Sequence, residues 1–193
     1  MYDVVLFDLD GTLTKSEIGI VNAIIYALTK LEISFDDREV LKEFIGPPLT
    51  ETFIKYFDFT EERAKEAVTY CQEYMRDKGV YEAPLYDGIE EVLEELSCNG
   101  KSIFIATSKP EVFVNQIIKY LHIERFFEGI VGANLDGTRT DKTEVITRLL
   151  ENYAITDRSK VVMVGDRKHD ILGAVNANID SVGVLYGYGE KTE

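Results

Sequence analysis

The chain has 193 residues, with 35 acidic side chains against 21 basic ones, a formal charge of −14 and 45% apolar residues. That length supports one substantial core, or a core with a smaller appended unit, and excludes a second large domain. The acidic balance argues against a nucleic-acid partner held through its phosphates and against an anionic membrane surface, and an anionic substrate would need local cations or a metal. Cys71 and Cys98 stand isolated in helical patterns and read as packing residues rather than a disulfide or a zinc site. Met1 leads almost directly into an apolar strand without a signal-like region, and no apolar run nears the ~18 residues of a membrane span. A cytoplasmic protein is expected.

In chain order, the first element is a strand at Val4 to Phe7, apolar throughout like a strand buried on both faces. From Ser16 to about Gly79 the pattern is helical. Ile18, Val21, Ile25 and Leu28 follow helical spacing, Asp36-Asp37 and Thr60 read as helix starts, and Gly46-Pro47-Pro48 breaks the region in its middle. Strand and helix then alternate. A helix carries Ile89, Val92, Leu93 and Leu96 and stops at Asn99-Gly100; a strand covers Ser102 to Ala106; a helix after Pro110 carries Val112, Val114, Ile117, Ile118 and Leu121. A short strand at Ile130 to Val131, a helix from Lys142 to Tyr153, a strand at Val161 to Val164, a helix from Asp170 to Asn178 and a strand at Ser181 to Leu185 complete the set. This alternation predicts an α/β fold with a doubly wound, Rossmann-like parallel sheet, whose sites lie beyond the carboxyl ends of its strands. A crossover needs only a dozen or so residues, so the helical stretch after the first strand reads as an inserted all-α cap. The expected division is 1–14 and 82–193 for the core and 15–81 for the cap.

Phe7-Asp8-Leu9-Asp10-Gly11-Thr12-Leu13 delivers two carboxylates to the end of the first strand, followed by a glycine suited to a tight turn. Such a pair suits metal binding and acid/base chemistry, although an Asx-type turn gives the same local pattern. An EF-hand loop is excluded, because Gly11 is the fourth residue from Asp8 and the twelfth is not glutamate. Three later signals add to this one: Thr107-Ser108 at a strand end, whose hydroxyls could donate to a phosphoryl oxygen; Lys142, at a helix start where a cation is disfavoured; and Gly165-Asp166 at another strand end, with Asp170. Each has a bland reading as a cap or a solvated charge. Together they place carboxylates, hydroxyls and a lysine at one edge of one sheet. Carboxylates converging to about 4 Å repel by roughly 4 kcal/mol per pair at an effective dielectric near 20, so a cation must hold them together. Oxygen-only ligands select a hard ion such as Mg²⁺.

The FDLDGTL stretch, Thr107, Lys142 and GDRKHD, in this order, resemble the haloacid dehalogenase superfamily of phosphatases, and the helical insertion resembles its C1-type cap. VNAIIYALTKL, FIGPPLTETF, ATSKPEVF, LDGTRTDKTEVI and VVMVGDRKHDILGA are similar to its phosphoglycolate phosphatase-like branch, some members of which are described as 5′-nucleotidases. The resemblance implies hydrolysis of a small phosphorylated metabolite, with Mg²⁺ as cofactor, by a monomer or homodimer. It implies Asp8 as the nucleophile that forms an aspartyl-phosphate, and Asp10 as the acid and base, its backbone carbonyl also reaching the metal. Thr107 and the Ser108 backbone would hold the phosphoryl group, Lys142 would neutralise it and restrain Asp8, and Asp8, Asp166 and Asp170 would serve the ion.

The chain departs from the family pattern in three places. Lys15-Ser16 stands where the family commonly has Asp-Ser, Lys142 is not followed by Pro-x-Pro, which leaves Lys109 as the second choice for its role, and related chains continue past Gly187-Tyr188-Gly189. A shortened C-terminus and a less protected sheet edge are therefore expected. Gly187-Tyr188-Gly189 lacks the features of a dinucleotide loop, and Tyr86, Tyr186 and Tyr188 read as packing or surface residues. His169 reads as solvated and His122 as structural, and Gly46-Pro47-Pro48-Leu49 as either a cap loop or an interhelix turn. A phosphomutase would carry the same motifs. A receiver-like signalling module would place its aspartate after a middle strand and lack the insertion, and a silent relative used for binding would not need every motif position filled.

Overall fold

The computed structural model describes residues 1–35, 37–189 and 192. They form two compact units, Met1–Lys15 with Pro84–Glu193, and Ser16–Ala83.

The first unit is built on a five-stranded sheet of β1 (Val4–Phe7), β2 (Ser102–Pro110), β3 (Gly129–Ala133), β4 (Val161–Gly165) and β5 (Asp180–Gly183). All pairings are parallel and the order is β3-β2-β1-β4-β5. The chain therefore winds outward from β1 in one direction, returns, and winds outward in the other, which makes the end of β1 a topological switch point. Leu6, Phe104 and Met163 project to one face, where they are buried with Val145, Ile146 and Leu149. These last three belong to the helix Lys142–Asn152, and a following helix, Lys168–Asn176, packs beside it. Ile103 and Ile105 alternate to the opposite face and are equally buried, where the helices Ile89–Cys98 and Glu111–Tyr120 lie against β2.

The second unit is all-helical: α1 (Glu17–Lys30), α2 (Arg38–Leu41), α3 (Leu49–Phe57) and α4 (Glu61–Asp77), so the four helices of the first unit are α5 to α8. The carboxylate of Asp37 accepts from the backbone N–H groups of Glu39 and Val40 to start α2, and Thr60 accepts from Arg63 to start α4. The other half of the expected Asp36-Asp37 signal, Asp36, lies outside the described residues. Pro48 precedes α3 as its cap residue, so the glycine-proline break does separate two helices. Phe44, Phe53 and Phe59 supply an aromatic core, with ring centroids 5.4 Å apart for Phe44–Phe53 and 5.8 Å for Phe53–Phe59. The buried face of α1 is rotated from the expected one. Ile18 is 59% exposed, while Val21, Ile24 and Leu28 are buried with the small residues Ala23 and Ala27.

Two strands also differ from their expected extents. β2 continues to Pro110 because pairing with β3 resumes at Pro110–Ala133 after a bulge that follows Ala106. β5 ends at Gly183, although the Val184 N–H still donates to the Gly165 carbonyl of β4, and it forms one edge of the sheet with Val182 48% exposed. Asp170 is not the first residue of α8 but its third, where its carboxylate accepts from the Arg167 N–H and closes a capping box.

Because α7 carries Lys142 at its first position, its packing positions more than the core. Replacing the fully buried Leu149 with alanine should cost about 2–5 kcal/mol of stability in urea unfolding. A loss below about 0.5 kcal/mol, the range of an ordinary surface substitution, would contradict this packing.

Candidate active site

The register explains why distant residues meet. Phe7 pairs with Ile105 on one side and Val164 on the other, so the next residues along are Asp8, Ala106 and Gly165. The Asp8 N–H continues the ladder by donating to the Val164 carbonyl at 2.9 Å. Beyond it the chain turns sharply at Gly11, whose φ of +88° is open to glycine at little cost. A side chain there would also run into the Asp166 carboxylate.

Lys142 reaches this edge from α7. Its Nζ lies 2.8 Å from Asp8 Oδ1 and 2.8 Å from Asp170 Oδ1, and it donates to the Ala106 carbonyl at 3.0 Å. The side chain is buried. Burial opposes its charge, but the Asp170 and Asp8 carboxylates more than offset this and hold its pKa above the ordinary lysine value. The disfavoured cation at a helix start is thus stabilised by two carboxylates, and Asp141 caps the helix by accepting from the Glu144 N–H. Gly173 on α8 leaves room for the lysine stem, which a side chain at that position would meet at 2.8 Å. Asp8 Oδ2 takes no hydrogen bond among the described residues.

Asp166 extends the cluster. Burial, reinforced by the charge of Asp8, pushes its carboxyl up to about 6, against the opposing hydrogen bond from the Tyr188 N–H. Asp170 is raised as well, by burial first, against the pull of Lys142. One oxygen from each of Asp8, Asp166 and Asp170 lies within 4.8 Å of the others. Three carboxylates against one ammonium leave a surplus of two negative charges in a buried place. A divalent cation would balance that surplus, and an all-oxygen donor set suits a hard ion. The residues present fit such a group in charge and in chemistry.

The remaining residues occupy the β2 bulge, a device that re-aims side chains. Thr107 is buried, and its Oγ1 accepts from the Lys109 N–H at 3.2 Å, which leaves its own proton available to donate. Ser108 instead donates its hydroxyl to the Thr140 carbonyl at 2.8 Å, tying the bulge to the loop that leads into Lys142. Lys109 is not a substitute for Lys142. Its Nζ lies 2.9 Å from both carboxylate oxygens of Asp10, with the ammonium side chain only 6% exposed. The site therefore holds two lysines with separate partners. The motif ATSKP contains the second one, but nothing local to that motif points to Asp10.

Lys15 pairs with Asp87 at 3.1 Å and lies over the Tyr86 ring, 5.4 Å from its centroid. The tyrosines near the C-terminus are not mere surface groups. The Tyr186 hydroxyl donates to the Thr12 carbonyl at 3.0 Å, and the Tyr188 N–H donates to Asp166 Oδ2 at 2.7 Å.

Comparison with known proteins identifies the family. Residues 5–184 match the family model described as haloacid dehalogenase-like hydrolase. A 5′-nucleotidase of Pseudomonas aeruginosa is 43% identical over 192 residues, covering 100% of this chain and 86% of that protein. A phosphoglycolate phosphatase of Colwellia psychrerythraea is 33% identical, covering 96% and 85%. A solved structure from Clostridium acetobutylicum, described as a predicted phosphatase, superposes with a TM-score of 0.94 at 42% identity, covering 100% of this chain and 89% of that one. The chain belongs to the haloacid dehalogenase-like hydrolases.

Proposed function

We propose that the protein is a Mg²⁺-dependent phosphomonoesterase that hydrolyses a small phosphorylated metabolite through an aspartyl-phosphate at Asp8. The observation that carries this reading is the unequal treatment of the two Asp8 oxygens. Oδ1 is held by Lys142, while Oδ2 takes no hydrogen bond among the described residues. A carboxylate fixed by one oxygen presents the other as a nucleophile. Family membership and relatives named 5′-nucleotidase and phosphoglycolate phosphatase support the same reaction class.

Oδ2 attacks phosphorus and the bond from phosphorus to the ester oxygen breaks. Asp10, as the acid, gives its proton to that departing oxygen. Water then attacks phosphorus, Asp10 takes the proton released, and the bond from phosphorus to Asp8 breaks to free inorganic phosphate. In the observed state both Asp10 oxygens rest on Lys109, so proton donation requires that pair to open. Thr107 donates its hydroxyl to a phosphoryl oxygen, joined by the backbone N–H of Ser108, and Lys142 offsets negative charge gathering beside Asp8. Asp8, Asp166 and Asp170, with the Asp10 carbonyl, would hold Mg²⁺, which when bound would neutralise the carboxylates and the phosphoryl oxygens. The helical unit, inserted directly after the strand that carries Asp8, is assigned as the family's cap, the part that selects the leaving group.

Two substrate classes stay in view. Motif similarity supports phosphoglycolate, whereas the higher identity to the 5′-nucleotidase, 43% against 33% for the phosphoglycolate phosphatase, supports nucleoside 5′-monophosphates. Phosphate release from a panel holding both classes, with Mg²⁺ and then with EDTA, decides between them. Turnover of at least one of these esters, lost in EDTA, is expected. No turnover of any monoester would sink the reading.

Asp8→Asn should lower turnover of p-nitrophenyl phosphate by about four orders of magnitude or more, with an unchanged circular-dichroism spectrum. Wild-type hydrolysis by this variant would exclude the mechanism. Lys142→Ala leaves Asp8 and Asp170 buried without their shared cation, so it should cost about 3–5 kcal/mol in urea unfolding in the presence of EDTA. Unchanged stability would show that the ion pairs do not hold this edge of the sheet together.

A further inference from the structure

The segment after β5, Leu185-Tyr186-Gly187-Tyr188-Gly189, belongs to no helix or strand and takes no part in the mechanism above. It nevertheless lies directly on Asp166. The Val184 N–H donates to the Gly165 carbonyl at 2.9 Å and starts the segment beside the end of β4. Two residues on, the Tyr186 hydroxyl donates to the Thr12 carbonyl at 3.0 Å, and its ring packs against Tyr86 with centroids 4.6 Å apart. The Tyr188 N–H then reaches Asp166 Oδ2 at 2.7 Å, the shorter of the two hydrogen bonds seen on that carboxylate. The other comes from the Thr12 hydroxyl to Oδ1 at 3.5 Å.

The two glycines make this approach possible. A Cβ at Gly187 would collide with Asp166 Cβ and Oδ2 and with the Gly11 carbonyl oxygen. A Cβ at Gly189 would collide with the Asp166 carbonyl oxygen. At both places backbone is among the obstructions, so a side chain could be accommodated only by lifting the segment away. The Tyr188 ring also borders the Gly11 turn, because a side chain at Gly11 would meet that ring at 2.7 Å. The segment and the Gly11 turn therefore both lie against Asp166.

We propose that this glycine-tyrosine-glycine segment is a positioning clamp for Asp166, fixing the rotamer of its carboxylate so that Oδ1 is presented to a divalent cation while Oδ2 is held by the Tyr188 N–H. This rests on the reading of Asp166 as a metal ligand. The segment lies against the ligand itself, so its loss acts on cation affinity. Removing a partner that orients a metal ligand typically weakens metal binding by about 10–100-fold.

The test is calorimetric titration of the full chain with Mg²⁺, using the wild type, Gly187→Ala, Tyr186→Phe and Asp166→Asn, each checked for folding by circular dichroism. Gly187→Ala should weaken Mg²⁺ binding by about tenfold or more. Tyr186→Phe, which removes one neutral hydrogen bond, should weaken it by about threefold. In steady-state assays the Mg²⁺ concentration for half-maximal rate should rise in step, with kcat restored at saturating Mg²⁺, a pattern that general loosening of the fold would not give. If Asp166→Asn binds Mg²⁺ like the wild type, the underlying ligand assignment fails and the clamp with it. If Asp166→Asn loses binding while folded Gly187→Ala keeps wild-type affinity, the clamp alone is overturned. Should Gly187→Ala not fold, Tyr186→Phe decides by the same comparison, and unchanged affinity overturns the proposal.

Discussion

The structure depends on a buried ammonium placed between two buried carboxylates. Lys142, Asp8 and Asp170 come from α7, β1 and α8. None of the three would be stable in that place alone, since an unpaired buried charge costs several kcal/mol. Each is held where it is by the others. This mutual dependence fixes the end of β1 relative to α7 and α8 more tightly than packing alone would. It also leaves Asp8 with one oxygen committed and one presented.

The parallel topology supplies the place where this can happen. With β1 central and its neighbours drawn from opposite windings, the carboxyl ends of β2, β1 and β4 deliver Thr107, Asp8 and Asp166 side by side. The bulge in β2 then turns successive residues to different tasks: Ser108 toward the loop before α7, and Lys109 toward Asp10. The surplus negative charge left after Lys142 is counted would be balanced by a divalent cation. Burial, reinforced by the neighbouring charge of Asp8, raises the pKa of Asp166, which has no lysine partner among the described residues.

Much of this was legible in the sequence, for physical reasons. Strands that are largely buried must be largely apolar, which located β1 to β4, whereas β5 was legible only as a short run although it is mostly exposed; the alternation of strands with helices implied the parallel sheet. The two acids of FDLDGTL, the hydroxyls after Ala106, the lysine at a helix start and the acids of GDRKHD are local anomalies at strand or helix ends, and the structure brings these groups to one edge of the sheet. Contacts that depend on three-dimensional trajectory were not legible. The Lys109–Asp10 pair joins residues 99 apart and follows from a bulge with no sequence signature. The buried face of α1 was misjudged because two alanines, Ala23 and Ala27, share it, whereas the large Ile18 points outward. Gly187 and Gly189 look like loop residues until the backbone of Asp166 and Gly11 is seen beside them.

The central claim is that the Asp8 carboxylate itself takes the phosphoryl group. Acid-quenching the enzyme during rapid turnover of a phosphomonoester in the presence of Mg²⁺, followed by peptide mass spectrometry, tests it most directly. The peptide bearing Asp8 should carry the mass of one phosphoryl group in the quenched sample and lose it once substrate is exhausted. Phosphoryl mass on a different residue, with the Asp8 peptide unmodified throughout turnover, would contradict the account.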